Sequence, residues 1–566
     1  MVSGLSQRIV NTLTEKKLCL FAALWSLVLL LNLPAYQAGF NGDFEGLLDM
    51  FYRYTFSEFI NSKGFEVKSL YQVTHFQLYC FISLFGLHPL PWYLLLTGLH
   101  ALNATLIFRF CKRLFSDFEI TNGPVIAFFG ALIFTINPII TEITIWKGGY
   151  HYLPGLMMQV LLLLWTQTYL KTGNKKLLWF SAILFFISTF TLEIFYLSPW
   201  FCLLLMLAYR WKELITKARF GDALKLVFLP QISIFVLNLL IYRMRYGAWV
   251  AHYGSNGGFK FSLDSMLDKM LRYLSTILGF TAFGPHENSN AIYAFLNKPA
   301  VYYTAFTIVI GLSILIFVRF KKFSANAQAA AFLFGMMMFC VAIISPMYFD
   351  ETMQLYNSRR CYELSFPVMM LMSLGIFSIF KHSIFSKIIF GVYIVLYTSF
   401  TVQKAFEWRN ADYMQRSMVR NYKWQHAKNV LILNMPCYYH DIRIIPTGRW
   451  DEFQENLKLF GYDTSKNKIH YVSAYNMNSL YDGAHVTIVD STTLKVTLNQ
   501  WGSWWMYDLN GALDFENELY ILEMKDVGHE YILHLKKPMQ EFTILFQREN
   551  AWKQLNTSAK PGSVQW

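Results

Sequence analysis

Charge is scarce in this chain. Asp, Glu, Lys and Arg make up 15% of its 566 residues, where a soluble domain carries about 25%. With 55% hydrophobic residues, 18% aromatic residues and a mean hydropathy of +0.31, the shortage excludes a single water-soluble core of this size. It points to a chain that crosses a bilayer many times. Cysteine is sparse and scattered, at Cys19, Cys80, Cys111, Cys202, Cys340, Cys361 and Cys437. No C-x-x-C pair and no metal-ligand spacing occurs, which argues against a disulfide framework and a structural zinc site. Most of these thiols lie in apolar runs, where cysteine acts as a small hydrophobe. No basic stripe accompanies a nucleic-acid reader motif, so the net charge of +13 does not imply a nucleic-acid partner. No convincing small-residue cleavage site follows "LCLFAALWSLVLLLNLPAY", so this run, preceded by Arg8, Lys16 and Lys17, reads as a signal anchor. Internal repeats and low-complexity segments are lacking too.

What the chain does have is apolar runs. About 20 such residues span a bilayer, and eleven stretches are candidates, near 18–36, 92–110, 124–140, 152–170, 177–196, 197–209, 224–242, 301–318, 327–346, 364–380 and 388–403, the sixth of them short. Positive charge sets their orientation. With the N-terminus cytoplasmic, the inner connections are "RFCKR" (109–113), "KTGNKK" (171–176), "RWKELITKARFGDALK" (210–225), "RFKK" (319–322) and "KHSIFSK" (381–387), all short and basic. The outer segments are longer and hold most of the loop acids. One of them contains "HFQLYCFISLFGL" (75–87), too short for a comfortable span, which reads as a helix lying on the outer interface. Beyond residue 403 the pattern changes. A polar helical stretch, "FEWRNADYMQRSMVRNYKWQ", leads into the strand-like runs "NVLILN", "HVTIVD", "LKVTLN", "ELYILEM", "YILHL" and "FTILF". The expectation is a polytopic α-helical membrane domain over 1–403 with about 11 transmembrane helices. A β-rich α/β domain over 404–566 follows it outside the membrane.

Four motifs carry chemistry, and each has a plainer reading. "NGDFEG" places Asp43 and Glu45 just past the first apolar run, where a carboxylate beside low dielectric is costly unless paired, metal-bound or used; the plainer reading is a solvated loop. "INPIITEITIWKGGYHYLPG" (136–155) breaks helices at Pro138 and Gly148-Gly149 and leaves Glu142, Lys147, Tyr150 and His151 at the junction; a turn with a Glu–Lys pair is the alternative. "STFTLEIFYLSP" sets Glu193 in an apolar run, a functional candidate or a snorkelling group. "YFDETMQLYNSRRCYELSFP" puts Arg359 and Arg360 just before a late span, suited to a phosphate or to anchoring in headgroups. By parity all four lie on the outer side. Acids and arginines on one face suit a lipid-phosphate-linked substrate, with arginine meeting the leaving phosphate and a carboxylate deprotonating the acceptor.

The order and content of these motifs resemble the GT-C superfamily of integral-membrane glycosyltransferases, particularly the branch of the protein O-mannosyltransferases. The resemblance covers roughly residues 15–400. It rests on "NGDFEG", "LFGLHPLPWYLLLTGLHALNATL", "NPIITEITIWKGGYHYLPG", "LEIFYLSP" and "SRRCYELSFP" in the family's order. The chain departs from the family's pattern in three places. Phe44 separates the two acids of the first motif, Asn137 stands where a histidine is usual, and Gly149-Tyr150 replaces an arginine. The TPR tail of eukaryotic relatives gives way to an outer β-rich domain, as in several bacterial members. The resemblance implies an inverting transfer of a sugar from a polyprenyl-phosphate donor to a protein, lipid or glycan acceptor. Asp43 would be the catalytic base, with Glu45 as the second acid. Arg359, Arg360, Lys147, Glu142, His151 and Glu193 would serve the donor and its phosphate. Metal use varies across the superfamily, so a divalent cation is left open. A bacterial cytoplasmic membrane is the implied location, with the C-terminal domain periplasmic. The rivals are a polysaccharide polymerase or ligase, a lipid-linked glycan transporter and a non-catalytic scaffold.

Overall fold

The computed structural model describes residues 17–41, 43–61, 70–247, 249, 263–279, 295, 298–319, 323–347, 359–381, 383–440, 442–445, 452–463, 467–498, 504–506, 513–526 and 528–565. The chain divides into two compact units. One comprises Met1–Tyr36 and Tyr54–Ala405, the other Gln37–Arg53 and Phe406–Trp566. Residues 37–53, which carry the first acidic motif, thus belong with the C-terminal part of the chain.

The first unit is helical. Its helices are α1 (Lys17–Asn32), α3 (Phe56–Ile60), α4 (Gln72–Phe85), α5 (Pro89–Asp117), α6 (Gly123–Ile136), α7 (Thr141–Ile145), α8 (Tyr152–Thr172), α9 (Lys176–Ser188), α10 (Ser198–Trp211), α11 (Lys217–Ala223), α12 (Leu229–Tyr246), α13 (Leu263–Ile277), α14 (Pro299–Arg319), α15 (Ala325–Met347), α16 (Tyr362–Phe380) and the first part of α17 (Ile384–Arg420); α2 (Asp43–Arg53) lies in the second unit. Among the described residues eight helices are long and apolar enough to cross a membrane, or nine if the bent pair Gly123–Ile136 and Pro138–Ile145 is one span. One further apolar helix, Lys176–Ser188, is shorter. Every one of the expected apolar stretches is therefore helical, but not every one reaches membrane length.

Local chemistry sets the breaks. The 50° bend after α6 falls at Pro138, whose ring removes a backbone donor. Asn137 caps the turn that follows, its Oδ1 accepting from the Ile139 N–H at 3.1 Å, and its Nδ2 donates to the Ile277 carbonyl at the end of α13 at 2.9 Å. Small residues let helices approach closely. A Cβ on Gly130 of α6 would lie 2.5 Å from Met370 Sδ of α16. Beside it, Ser373 donates to the Ile126 carbonyl at 2.8 Å.

The second unit contains two sheets. Its strands are β1 (Asn429–Tyr439), β2 (Ile442–Arg443), β3 (Lys468–Met477), β4 (Ala484–Ile488), β5 (Thr493–Leu498), β6 (Trp504–Met506), β7 (Phe515–Glu516), β8 (Tyr520–Asp526), β9 (Glu530–Leu535), β10 (Thr543–Arg548), β11 (Ala551–Gln554) and β12 (Val564–Gln565), with helix α18 (Glu452–Leu459) between β2 and β3. One sheet runs β11-β10-β1-β3-β6, with β2 beside β1; the other runs β12-β4-β5-β9-β8-β7. Central β1 is parallel to β3 and β10 and is buried along nearly its whole length, as a strand covered on both faces must be. The second sheet is antiparallel and alternates buried with half-exposed positions in β4 and β9. Two tyrosines join the sheets, Tyr531 donating to the Leu433 carbonyl at 2.7 Å and Tyr520 to the Tyr471 carbonyl at 3.2 Å. All six strand-like runs of the sequence lie in strands. The long strand β3 was not anticipated, because His, Ser and Asn interrupt its apolar signal. Ser473 is satisfied inside by donating to the Leu433 carbonyl at 2.7 Å.

Helix α2 packs against α18 and buries Phe44 and Leu48. Phe44→Ala should destabilise the second unit by about 3–5 kcal/mol through lost burial and the cavity left behind. Hydrogen exchange on the full-length protein reads this as lost protection in β1 and β3. Unchanged protection there would mean that α2 contributes nothing to the stability of the sheet.

Candidate functional site

The site in the first unit grows out of the break between α6 and α8. After Pro138 the chain makes one short helix, α7, and a 3-10 turn, Lys147–Gly149, before α8 begins. Glu142 lies in the first turn of α7 and is buried. Its Oε2 accepts from the Arg359 backbone N–H at 2.7 Å, and its Oε1 pairs with the Arg359 guanidinium. The guanidinium also lies over the Trp146 ring, 5.0 Å from the centroid. Gly148 and Gly149 make room for that indole: a Cβ on either would come within 2.5 Å and 3.0 Å of its atoms. Lys147 is buried and donates to the Ile145 carbonyl at 2.9 Å. His151 hydrogen-bonds the Gly148 backbone, sets its ring tilted against Tyr152 with the centroids 4.7 Å apart, and feels the charge of Arg359.

Glu193 joins this region through α4. Its Oε2 accepts from Tyr71 at 2.5 Å. Thr74 donates to the Thr191 carbonyl at 2.9 Å, and the Val73 N–H donates to the Phe190 carbonyl at 3.1 Å. Tyr150 in turn donates to the Thr74 carbonyl. The turn carrying Glu193 seats itself on a glycine, since a Cβ on Gly155 would lie 1.9 Å from Phe195 Cε2. Glu193 Oε1 is buried with no hydrogen-bond partner among the described residues.

The structure thus brings together Glu142 and Arg359 directly, with Lys147 and His151 on the same break and Glu193 linked through Tyr71 and Thr74. Arg360 is buried, and its charge is felt by Cys361 and by Tyr273 on α13. Asp43 and Glu45 begin α2 in the second unit, and their side chains lie outside the described residues. Sequence reasoning missed Tyr71, Thr74, His75, Trp146 and Tyr273. Tyr71 and His75 stand four residues apart, a spacing that puts both on one helix face, and this was the available signal. Among the described residues no group of three or more His, Cys, Asp or Glu side chains is arranged to hold a metal ion.

A guanidinium fixed on its edge by a carboxylate and on its face by an indole is pre-oriented. That is the condition for planar, bidentate recognition of a phosphate or carboxylate. No family model matches the chain, and no curated protein matches it.

Removing one partner of a buried ion pair leaves an uncompensated charge. Glu142→Gln should therefore lower stability in detergent by about 3–5 kcal/mol, and Glu142→Gln/Arg359→Gln should recover part of the loss, both read by thermal unfolding. His75 supplies a pH dependence. Burial lowers its imidazole from 6.5 to about 4, while the hydrogen bond to the Ile60 carbonyl pulls the other way. The unfolded chain takes up the proton first as pH falls, so the stability from neutral His75 is present above about 6.5 and lost toward 4. Between pH 7 and 4 the wild type should lose about 3 kcal/mol more than His75→Gln. Parallel pH profiles of the two melting temperatures would contradict this.

Proposed function

We propose that this chain is an integral-membrane glycosyltransferase of the GT-C type. It transfers a sugar from a polyprenyl-phosphate donor to a hydroxyl-bearing acceptor on the outer side of a bacterial cytoplasmic membrane. One observation carries the reading: Glu142 and Arg359, 217 residues apart, come from two of the motifs on which the resemblance rests and form an ion pair in which Glu142 is buried and Arg359 partly so. Apolar helices in every expected stretch support the membrane assignment. The connections assigned to the cytoplasm are the short basic ones, which supports an inner N-terminus and an outer C-terminal unit.

In this reading Arg359, held by Glu142 and Trp146, meets the donor phosphate. Arg360, Lys147 and His151 add positive or hydrogen-bonding character, and Glu193 shapes the donor side through Tyr71. The acceptor oxygen attacks the anomeric carbon from the face opposite the phosphate. The bond from that carbon to the phosphate oxygen breaks, polyprenyl phosphate leaves with the electron pair, and the anomeric centre inverts. The acceptor proton passes to the carboxylate of Asp43, with Glu45 as the neighbouring acid. Withdrawing the proton as the bond forms, and offsetting charge on the leaving phosphate, lower the barrier at both ends of the displacement.

The test is transfer by purified protein supplied with radiolabelled polyprenyl-phosphate sugars and a lysate acceptor pool. Asp43→Asn, nearly isosteric, should lower transfer by about 100-fold or more, the range expected for loss of a general base. Equal transfer by wild type and variant would remove Asp43 from the chemistry. Donor binding without transfer by either would favour a transporter.

A further inference from the structure

The segment that bears Asp43 is tied at two points to the C-terminal part of the chain, within the second unit. Asp412 and Arg416 stand four residues apart on α17, and the Arg416 Nε lies 2.7 Å from Asp412 Oδ2. The carboxylate orients the guanidinium, which donates from its Nη2 to the Gln37 carbonyl at 2.8 Å. Four residues on, Asn41 Nδ2 donates to the Arg443 carbonyl of β2 at 2.7 Å. Both contacts go to or from groups immediately ahead of α2. Between them Ala38 is buried, and Gly39 takes φ +90°, a left-handed conformation that glycine adopts without strain. The chain then enters α2, which lies on α18 through its buried face.

We infer that Arg416 and Asn41 are positioning residues for the acid: the C-terminal part of the second unit holds the helix start at Asp43 in a fixed place, and turnover depends on that hold. This rests on the reading of Asp43 as the base. It adds that the C-terminal domain is a working part of the transfer machinery rather than an appended module. A contact far from the chemistry is sufficient to set rate, because misplacing a reacting group by about 1 Å costs on the order of 100-fold. Both clamps engage backbone carbonyls, so the hold is set by the geometry of the chain and not by the identity of Gln37 or Arg443.

The experiment compares Arg416→Ala, Asn41→Ala and Arg416→Lys in the full-length protein, with Asp43→Asn alongside. Hydrogen–deuterium exchange over residues 43–53 should quicken about tenfold in the two alanine variants while β1 and β3 keep their protection. Sugar transfer by the same preparations should show kcat falling about tenfold with the donor KM unchanged, the pattern of a misplaced catalytic group. Arg416→Lys, which retains a cationic donor, should recover much of both. Wild-type exchange over 43–53 in both alanine variants overturns the clamp. Faster exchange with unchanged kcat, in a protein where Asp43→Asn abolishes transfer, overturns its role in turnover. If Asp43→Asn itself transfers normally, the base assignment fails, and the exchange data then judge the clamp by themselves.

Discussion

A carboxylate and a guanidinium buried among apolar helices constrain everything near them. Neither Glu142 nor Arg359 is stable alone in such surroundings, because the desolvation cost of each is several kcal/mol. Their mutual contact therefore fixes the break after α6 against the residues that precede α16. From that point the rest of the site is determined by packing. The indole of Trp146 covers the guanidinium, two glycines give the indole its space, and His151 hydrogen-bonds the backbone of that turn within reach of the Arg359 charge. Tyr150 carries the same constraint to α4, and α4 carries it to the turn of Glu193.

What was legible in the sequence follows from the range of the interactions involved. Apolar runs report local burial, so every expected stretch is helical, and the alternating runs of the tail are strands. Membrane length is a finer matter. The run near 177–196 gives a helix of only 13 residues, Lys176–Ser188, that ends before the turn carrying Glu193. The buried run at the centre of β3 was hidden because Ser473 finds its partner inside the sheet, which no single-residue scale registers. The helix read as lying on an interface, α4, and the residue before it also supply Tyr71, Thr74 and His75 to the site; those contacts are with residues up to about 120 positions away.

The two arginines illustrate the limit most plainly. Arg359 and Arg360 are adjacent and chemically identical, and sequence treats them alike. In a tight helical turn consecutive side chains diverge by about 120°. One reaches Glu142 and Trp146; the other is buried, and its charge is felt by Tyr273 of α13, a helix with no legible signal of its role. Likewise nothing local announces that residues 37–53 belong with the C-terminal sheets. Asn41 and Arg443 meet across 402 positions, and only the folded chain brings them together.

That separation has a bearing on synthesis. The second unit is assembled from two pieces of chain with roughly 350 residues between them. At about 5–20 residues per second, helix α2 leaves the ribosome on the order of tens of seconds before the first strand it will share a unit with. During this interval its apolar face, Phe44 and Leu48, has no sheet domain to cover it. The unit cannot complete its core co-translationally from its early piece, and its final closure is a long-range event that follows nearly the whole chain. A truncated product of such a chain carries an unfinished second unit with that face uncovered.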